Sequence, residues 1–270
     1  MIIGNRNFET GSHTYVMGIL NVTPDSFSDG GNYNQMDAAL HHVEEMIRDG
    51  ADIIDIGGES TRPGYEQIPA EEEIARVVPV IEQIKARFDI PVSLDTYKAS
   101  VATAGIQAGV DLINDIWGLK GDEKMAAVIA SSNLPCCLMH NRREAVYKNY
   151  IQDVLADLEE TLEIAGKAGI DRDKILLDPG IGFAKTYEQN LLLLQQLESI
   201  HSFGCPILLG TSRKSVIGLT LDVPASERVV GTVATTVMGV MKGCSFVRVH
   251  DIKENVQAVK MTEAVLHAAV

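Results

Sequence analysis

Polar side chains that could bind a small molecule recur at the ends of short apolar runs in this chain. The runs end in carboxylate, amide, thioether or cationic residues: Asn21, Asp95, Asn114, Met139, Asp178, Arg248 and His250. Carboxylate and amide oxygens accept hydrogen bonds and suit a ligand rich in N–H donors, such as a flat amino-heterocycle. Any single Asp or Asn at such a position could equally cap a turn or a helix. The whole set predicts a binding site.

Cations gather near the end of the chain, although the chain as a whole is acidic. It has 23 Lys and Arg against 37 Asp and Glu, a formal net charge of −14. Arg213, Lys214, Arg248 and His250 follow the last two apolar runs. A basic cluster on an acidic chain predicts an anion site, and the segment SRKSVIG indicates a helix start beside it. The P-loop pattern GxxxxGK[ST] is absent. We therefore expect a phosphorylated ligand with a donor-rich ring.

The order of the elements predicts how these residues are positioned. Eight nearly continuous apolar runs predict buried parallel strands starting at Tyr15, Asp52, Pro91, Asp111, Pro135, Lys174, Pro206 and Ser245. Amphipathic stretches between them predict helices, among them 36–48, 70–88, 151–168 and 252–268. Eight strand–helix units are typical of an α/β fold of the (β/α)8 TIM-barrel type, forming one domain over residues 1–270. An open, doubly wound sheet is the alternative, because periodicity does not show closure.

Two loops after the first two strands are longer than the ~2–6 residues usual in α/β units. They cover residues 22–34 and 57–69. Phe27 in the first, and Thr61, Arg62 and Pro63 in the second, could cover a second substrate. Decoration of the surface is the alternative interpretation of both loops.

Composition excludes several classes of protein. With 46% hydrophobic and 22% charged residues the chain has the composition of a folded domain. Its acidity disfavours nucleic acid and anionic membranes as partners. No apolar signal region follows the N-terminus, and the uncharged stretch 229–241 is too short to cross a bilayer. Four cysteines without a CxxC pattern predict free thiols in a reducing cytoplasm.

The motifs, taken together, resemble those of dihydropteroate synthases of folate biosynthesis. The segments that carry the resemblance occur in order over almost the whole chain: MGILNVTPDSFSDGG, DIGGESTRPG, SLDT, INDIWG, LLDPGIGF, LGTSRKS and RVHD. The resemblance implies that 6-hydroxymethyl-7,8-dihydropterin diphosphate and 4-aminobenzoate condense to 7,8-dihydropteroate and diphosphate, with Mg²⁺. It also implies a cytoplasmic homodimer and inhibition by sulfonamides.

The resemblance assigns a role to each motif residue. The pterin would contact Asp95, Asn114, Met139, Asp178, Phe183, Gly210, Lys214 and Arg248. The diphosphate would contact Asn21, Arg62, Arg248 and His250, with Asn21 also on the Mg²⁺. The 4-aminobenzoate would contact Phe27, Thr61, Pro63, Lys214 and Ser215. Asp95, Lys214 and Arg248 are the candidate catalytic residues.

Two other functions remain open at this stage. A pterin-binding methyltransferase that passes a methyl group from folate to a corrinoid would share the barrel and an Asn/Asp pocket. It would have no need of the SRKS, RVHD or NVTPDSFSDGG segments. A paralogue that binds pterin without turnover is the second alternative.

Overall fold

The computed structural model describes residues 1–23, 32–59 and 67–269. Two short antiparallel strands come first, β1 (Ile2–Ile3) and β2 (Arg6–Asn7). Eight further strands form one parallel sheet: β3 (Tyr15–Asn21), β4 (Ile53–Gly57), β5 (Val92–Asp95), β6 (Leu112–Asp115), β7 (Cys136–Met139), β8 (Ile175–Asp178), β9 (Leu208–Leu209) and β10 (Phe246–Val249). All eight predicted strands are present, each within a few residues of its predicted start.

The sheet closes into a barrel. Its strand order is β8-β7-β6-β5-β4-β3-β10-β9, and a parallel bridge between Leu177 and Ile207 joins the two outer strands. The Leu177 N–H also donates to the Pro206 carbonyl at 2.9 Å. The TIM-barrel prediction is therefore confirmed, and the open sheet is excluded.

Helices connect the strands and cover the outside of the barrel. They are α1 (Asn32–Asp49), α2 (Ala70–Arg87), α3 (Ala99–Ala108), α4 (Met125–Ser132), α5 (Tyr150–Ala168), α6 (Tyr187–Gln195), α7 (Ser215–Leu221), α8 (Val229–Met241) and α9 (Ile252–Leu266). α5 ends at Ala168, because the next residue, Gly169, takes a φ of 89° that glycine adopts at little cost. Within the described ranges, every helix is too short or too polar to cross a bilayer.

The bottom of the barrel interior is apolar except for the buried Ser93 of β5. Each strand except β5 contributes one side chain to a buried cluster, which we call the lower layer: Met17, Ile53, Leu112, Cys137, Leu176, Leu208 and Phe246. Ile3 and Phe8 join this cluster from the N-terminal hairpin. Phe8 packs edge-on against Tyr15, at 4.7 Å between ring centroids. The hairpin thus plugs the bottom of the barrel, a feature that the sequence analysis did not predict.

Candidate functional site

The barrel interior becomes mostly charged and polar two residues further along the strands. Since side chains on a strand alternate between its two faces, residues two positions beyond the lower layer also face inward. β3 continues with the apolar Ile19, and in β5 Asp95 lies two positions beyond the buried Ser93. Leaving Ile19 aside, we call this set the upper layer: Asp55, Asp95, Asn114, Met139, Asp178, Gly210 and Arg248. Its members lie at the carboxyl ends of the strands, the face on which TIM barrels place their active sites. Asp55, Asn114 and Asp178 are at most 5% exposed.

Arg248 ties together two carboxylates in the upper layer. Its Nε lies 2.5 Å from Asp55 Oδ2, and its Nη2 lies 2.7 Å from Asp95 Oδ2. Asn114 Nδ2 donates to the same Asp55 oxygen at 3.2 Å. Burial would lower the pKa of Arg248, but Asp55 and Asp95 more than offset it and the pKa is raised. Arg248 is therefore held as a cation inside the barrel.

Both carboxylates keep one oxygen for another partner. Asp55 Oδ1 and Asp95 Oδ1 are buried and lack a hydrogen-bond partner within the described residues. A buried acceptor left without a donor costs free energy, roughly 1–3 kcal/mol. Burial raises the pKa of Asp95, although Arg248 acts in the opposite direction. These oxygens mark positions where a ligand with N–H donors would be stabilised.

Asp178 and Lys214 face each other across Gly210. A Cβ atom placed on Gly210 would lie 3.6 Å from Asp178 Oδ2, 3.8 Å from Lys214 Nζ and 3.9 Å from Arg248 Cβ. A Cβ atom at position 210 would therefore make ordinary van der Waals contact with three charged side chains, which shows that all three surround this point. Burial lowers the pKa of Lys214 to about 8, opposed by Asp178, and burial raises the pKa of Asp178, opposed by Lys214.

The loop after β8 shapes one wall of this space. Asp178 Oδ1 accepts a hydrogen bond from the Gly180 N–H at 2.7 Å. Lys214 Nζ donates to the Ile181 carbonyl and lies 4.7 Å from the Phe183 ring centroid. Phe183 and Lys214, which are 31 positions apart in the sequence, thus meet at the rim of the pocket.

Other candidate residues lie around the rim. Asn21 Oδ1 and Asp95 Oδ2 would lie 3.7 and 3.8 Å from a Cβ atom placed on Gly57, so the two side chains approach the same point.

His250 Nδ1 lies 2.9 Å from Ser212 Oγ. Met139, 2% exposed, is paired with Asp178 in the sheet register, and Ser215 begins α7 directly after Lys214. Phe27, Thr61, Arg62 and Pro63 lie outside the described residues.

The predicted basic cluster divides into two parts. Lys214 and Arg248 reach the upper layer, as described above. Arg213 instead forms an ion pair with Asp251, and its carbonyl accepts from Arg228 Nη1 at 2.9 Å. Arg213 therefore ties the loop after β9 to the start of α9.

Comparison with known proteins identifies the family. Residues 17–250 match the family model described as pterin binding enzyme. The dihydropteroate synthase of Clostridium beijerinckii is 62% identical over 267 residues, which span 98% of this chain and 99% of that protein. This chain belongs to the dihydropteroate synthase family.

Solved dihydropteroate synthases share the fold over nearly their full length. The enzyme from Clostridium difficile, crystallised in the presence of pteroic acid, is 49% identical with a TM-score of 0.95, and the match covers 97% of this chain and 100% of that one. The Xanthomonas albilineans enzyme with 4-aminobenzoic acid is 40% identical with a TM-score of 0.91, covering 95% and 94%. The enzyme described here is a transferase that forms 7,8-dihydropteroate from the pterin diphosphate and 4-aminobenzoate, and the methyltransferase alternative is set aside.

One upper-layer residue of this dihydropteroate synthase was missed by the sequence analysis. Asp55 receives hydrogen bonds from Arg248 and Asn114 and is fully buried. A sequence signal existed, because Asp55 interrupts the otherwise apolar run IIDI in a strand buried on both faces. A charge at such a position is costly unless it is paired.

The donor set can be compared with the Mg²⁺ that the family resemblance implies. Within the described ranges, no three His, Cys, Asp or Glu side chains are grouped as a metal site. Mg²⁺ commonly keeps several waters and binds one or two protein oxygens together with substrate phosphates. The Asn21 amide oxygen beside Asp95 is compatible with that mode, and an all-protein cage is not supported.

Proposed function

We propose that the upper layer is the pterin site of this dihydropteroate synthase. The proposal rests on two buried oxygens that have no hydrogen-bond partner among the described residues, Asp55 Oδ1 and Asp95 Oδ1, next to the Asp178–Lys214 pair. A pterin ring offers an amino group and ring N–H donors on one edge, together with acceptors that a lysine can reach. The residues proposed to contact it are the predicted Asp95, Asn114, Met139, Asp178, Phe183, Gly210, Lys214 and Arg248, to which the structure adds Asp55.

We propose that charged side chains, fixed in position before the substrate binds, stabilise the transition state of the reaction. The bond between the exocyclic methylene carbon and the diphosphate oxygen breaks, the arylamine nitrogen bonds to that carbon, and this nitrogen loses one proton. Asp95 faces the ring, over which positive charge develops, and Arg248 stabilises the departing diphosphate. Preorganised groups of this kind contribute roughly 3–4 kcal/mol each. No protein nucleophile is required.

The diphosphate would lie between the upper layer and the rim. Asn21, Arg248 and His250 are proposed to hold it, with Arg62 from the second long loop. A bound Mg²⁺ would neutralise charge on the leaving diphosphate. Asn21 is the residue proposed to hold that ion.

The 4-aminobenzoate is proposed to bind at the rim, next to Lys214 and Ser215. Phe27, Thr61 and Pro63 would complete this site. The X. albilineans structure with 4-aminobenzoic acid supports such a site in this fold. Sulfonamides, which have the shape of 4-aminobenzoate, would compete there.

Diphosphate release tests the proposal. Pure protein is mixed with both substrates and Mg²⁺, and the rate is compared with a no-protein control. We expect Lys214→Ala and Asp178→Ala to lose most of kcat/KM, and His41→Ala on the outer face of α1 to retain it. Similar kinetics for all three variants would refute the site assignment.

We also propose that two copies of the chain associate through α8 and α9. Both helices expose large apolar side chains: Val230 (73%), Met241 (63%), Met261 (65%), Val265 (64%) and Leu266 (50%). Exposed apolar surface of this kind commonly marks a protein interface. Light scattering should give a dimer mass, and Val230→Glu should weaken the dimer, whereas Ile2→Glu on the hairpin should not. A monomeric wild-type protein would contradict this assembly.

We further propose that residues 1–270 act as one pterin-binding domain in the cytoplasm. The four cysteines are free thiols and all are buried. Free thiols suit a reducing compartment. Partners are then the small-molecule substrates, with neither nucleic acid nor a membrane involved.

A further inference from the structure

A second charged network lies behind the loop that follows β8. Arg142 Nε lies 2.5 Å from Asp157 Oδ2, and the same oxygen lies 2.9 Å from His140 Nε2. The other ring nitrogen, His140 Nδ1, lies 2.8 Å from Lys185 Nζ. His140 is only 2% exposed. None of these four residues belongs to the pterin site proposed above.

The partners of His140 fix its tautomer. A lysine ammonium has three donors and no acceptor, so His140 Nδ1 must accept from Lys185. The ring proton then sits on Nε2 and is donated to Asp157. Burial lowers the pKa of His140 to about 4, although Asp157 acts in the opposite direction, which agrees with a neutral ring. His140 is therefore a fixed acceptor that aims the Lys185 ammonium.

Lys185 donates its other two hydrogen bonds to the backbone of the loop after β8. Its Nζ donates to the Gly180 carbonyl at 2.9 Å and to the Phe183 carbonyl at 3.0 Å. With His140, all three ammonium donors have acceptors. The carbonyls are three residues apart, so one side chain fixes both ends of the segment 180–183.

The opposite side of the same segment contacts the pterin site. The Gly180 N–H donates to Asp178, and the Ile181 carbonyl accepts from Lys214. Gly180 has a φ of 70°, and a Cβ on it would lie 2.0 Å from the His140 carbonyl oxygen, so the loop rests directly on the end of β7. A peptide rotation at Gly180 or Ile181 would move both contacts.

We propose that Lys185, aimed by His140, is a positioning residue that holds segment 180–183 in the conformation presenting Asp178 and Lys214 to the pterin. The inference rests on the pterin site proposed above. Lys185 acts through the backbone and does not touch the substrate. Removing its charge should therefore weaken pterin binding in a protein that still folds.

The test measures binding of 6-hydroxymethyl-7,8-dihydropterin diphosphate by calorimetry at about pH 6.5, where the lysine is charged. Lys185→Met keeps most of the length of the side chain, up to the Cε position, and removes its donors. We expect its Kd to rise at least tenfold, while circular dichroism shows a native spectrum. The matched control is Lys167→Met, because Lys167 is an exposed lysine on α5 that pairs only with Glu163 among the described residues. Its Kd should be unchanged.

A chemical rescue separates positioning from a general loss of packing. Lys185→Cys treated with 2-bromoethylamine regains a side chain of lysine length that ends in an ammonium. The four native cysteines are at most 4% exposed and should react slowly. We expect the modified protein to recover most of the lost affinity. Likewise, His140→Asn, which keeps an acceptor near the Nδ1 position, should bind more tightly than His140→Leu.

Two results would overturn the inference. One is a wild-type Kd in folded Lys185→Met, and the other is a weakened variant that the restored ammonium does not rescue. Asp178→Asn is measured alongside to separate this inference from the site assignment. If Asp178→Asn also binds with wild-type affinity, the pterin site itself is misplaced. If only Asp178→Asn loses affinity, the assignment of the pterin site is supported and the proposed role of Lys185 is refuted.

Discussion

The two layers of the barrel interior lie two residues apart along the strands that they share, yet one is apolar and the other is mostly charged or polar. Ile53 precedes Asp55, Leu176 precedes Asp178, and Phe246 precedes Arg248. Six of the eight strands, β4 and β6 to β10, contribute to both layers, in the same register and on the same inward face. The backbone therefore does not decide which layer is a core and which is a site. The side chain at every second position decides it.

The layers also differ in what burial costs. Apolar side chains in the lower layer gain roughly 25 cal/mol for each Å² removed from water. The charged side chains in the upper layer lose several kcal/mol each on desolvation, and pairing offsets this only in part. Arg248 has two partners, yet one oxygen of Asp55 and one of Asp95 are left without a donor in the described chain. The apolar packing of the lower layer thus stabilises a fold whose binding site contains buried carboxylate oxygens that lack a donor among the described residues.

The largest expected effect comes from Arg248→Met, which would leave Asp55 and Asp95 buried without their cation. Breaking such a pair costs roughly 3–5 kcal/mol of unfolding free energy, and the lost stabilisation of diphosphate should lower kcat/KM by roughly 10³-fold. Urea unfolding and the diphosphate-release assay measure the two effects. Arg87→Met, at the exposed end of α2, is the control and should change neither. A folded Arg248→Met enzyme with normal kcat/KM would remove Arg248 from the mechanism.

Leu176→Ala tests the lower layer at the position two residues before Asp178. Truncating a fully buried leucine should cost roughly 2–5 kcal/mol of unfolding free energy. Because Leu176 is fully buried below the site, kcat/KM per folded molecule should stay within about twofold of the wild type. Leu176→Met preserves volume and should cost less than about 1.5 kcal/mol. A large loss of kcat/KM in the folded alanine variant would mean that the two layers are coupled.

The two lysines that lie next to the upper layer and its wall, Lys214 and Lys185, should make kcat/KM depend on pH, whereas the lower layer has no group that titrates near neutrality. Burial lowers the pKa of Lys214 to about 8, with Asp178 and Asp95 opposing and Arg248 reinforcing it. Burial also lowers the pKa of Lys185 to about 7. A lysine with a lowered pKa loses its charge as the pH rises through that value. Therefore kcat/KM for the pterin diphosphate should fall on the alkaline side, above about pH 7–8, toward tenfold per pH unit.

Two variants show which lysine causes the fall of kcat/KM at alkaline pH. In Lys185→Met the remaining fall should lie near the pKa of Lys214. In Lys214→Arg, whose guanidinium stays charged, that part of the fall should disappear. A flat profile up to about pH 9 in the wild type would show that neither charge matters for kcat/KM.

The barrel and most of the upper layer could be predicted from sequence because their signals are local. Apolar runs mark buried strands, and a polar residue at the end of a run marks the carboxyl face of the barrel. Asp95, Asn114, Asp178 and Arg248 were found in this way. Asp55 was missed because it lies inside a run, where the same rule predicts an apolar residue.

The remainder depends on contacts between distant parts of the chain. The hairpin at residues 2–7 has no apolar alternation long enough to indicate where it packs. Lys185 and His140 are 45 positions apart, and although Arg142 lies close to His140 in sequence, nothing in the sequence links either residue to Lys185. The pairing of β7 with β8 in the sheet brings the end of β7 against the loop after β8. These pairings follow from topology, so a single sequence does not reveal them.

The smallest predicted effect tests the hairpin as part of the lower layer. Ile3 is fully buried in the cluster with Phe8 and Phe246. Ile3→Val removes one methylene and should cost roughly 0.5–1.5 kcal/mol of unfolding free energy. The same change at Ile2, which is 69% exposed, should be close to neutral. Urea unfolding separates the two variants, and kcat/KM should be unchanged in both because the hairpin lies at the opposite end of the barrel from the charged layer. An equal effect at both positions would mean that the hairpin does not pack as a plug.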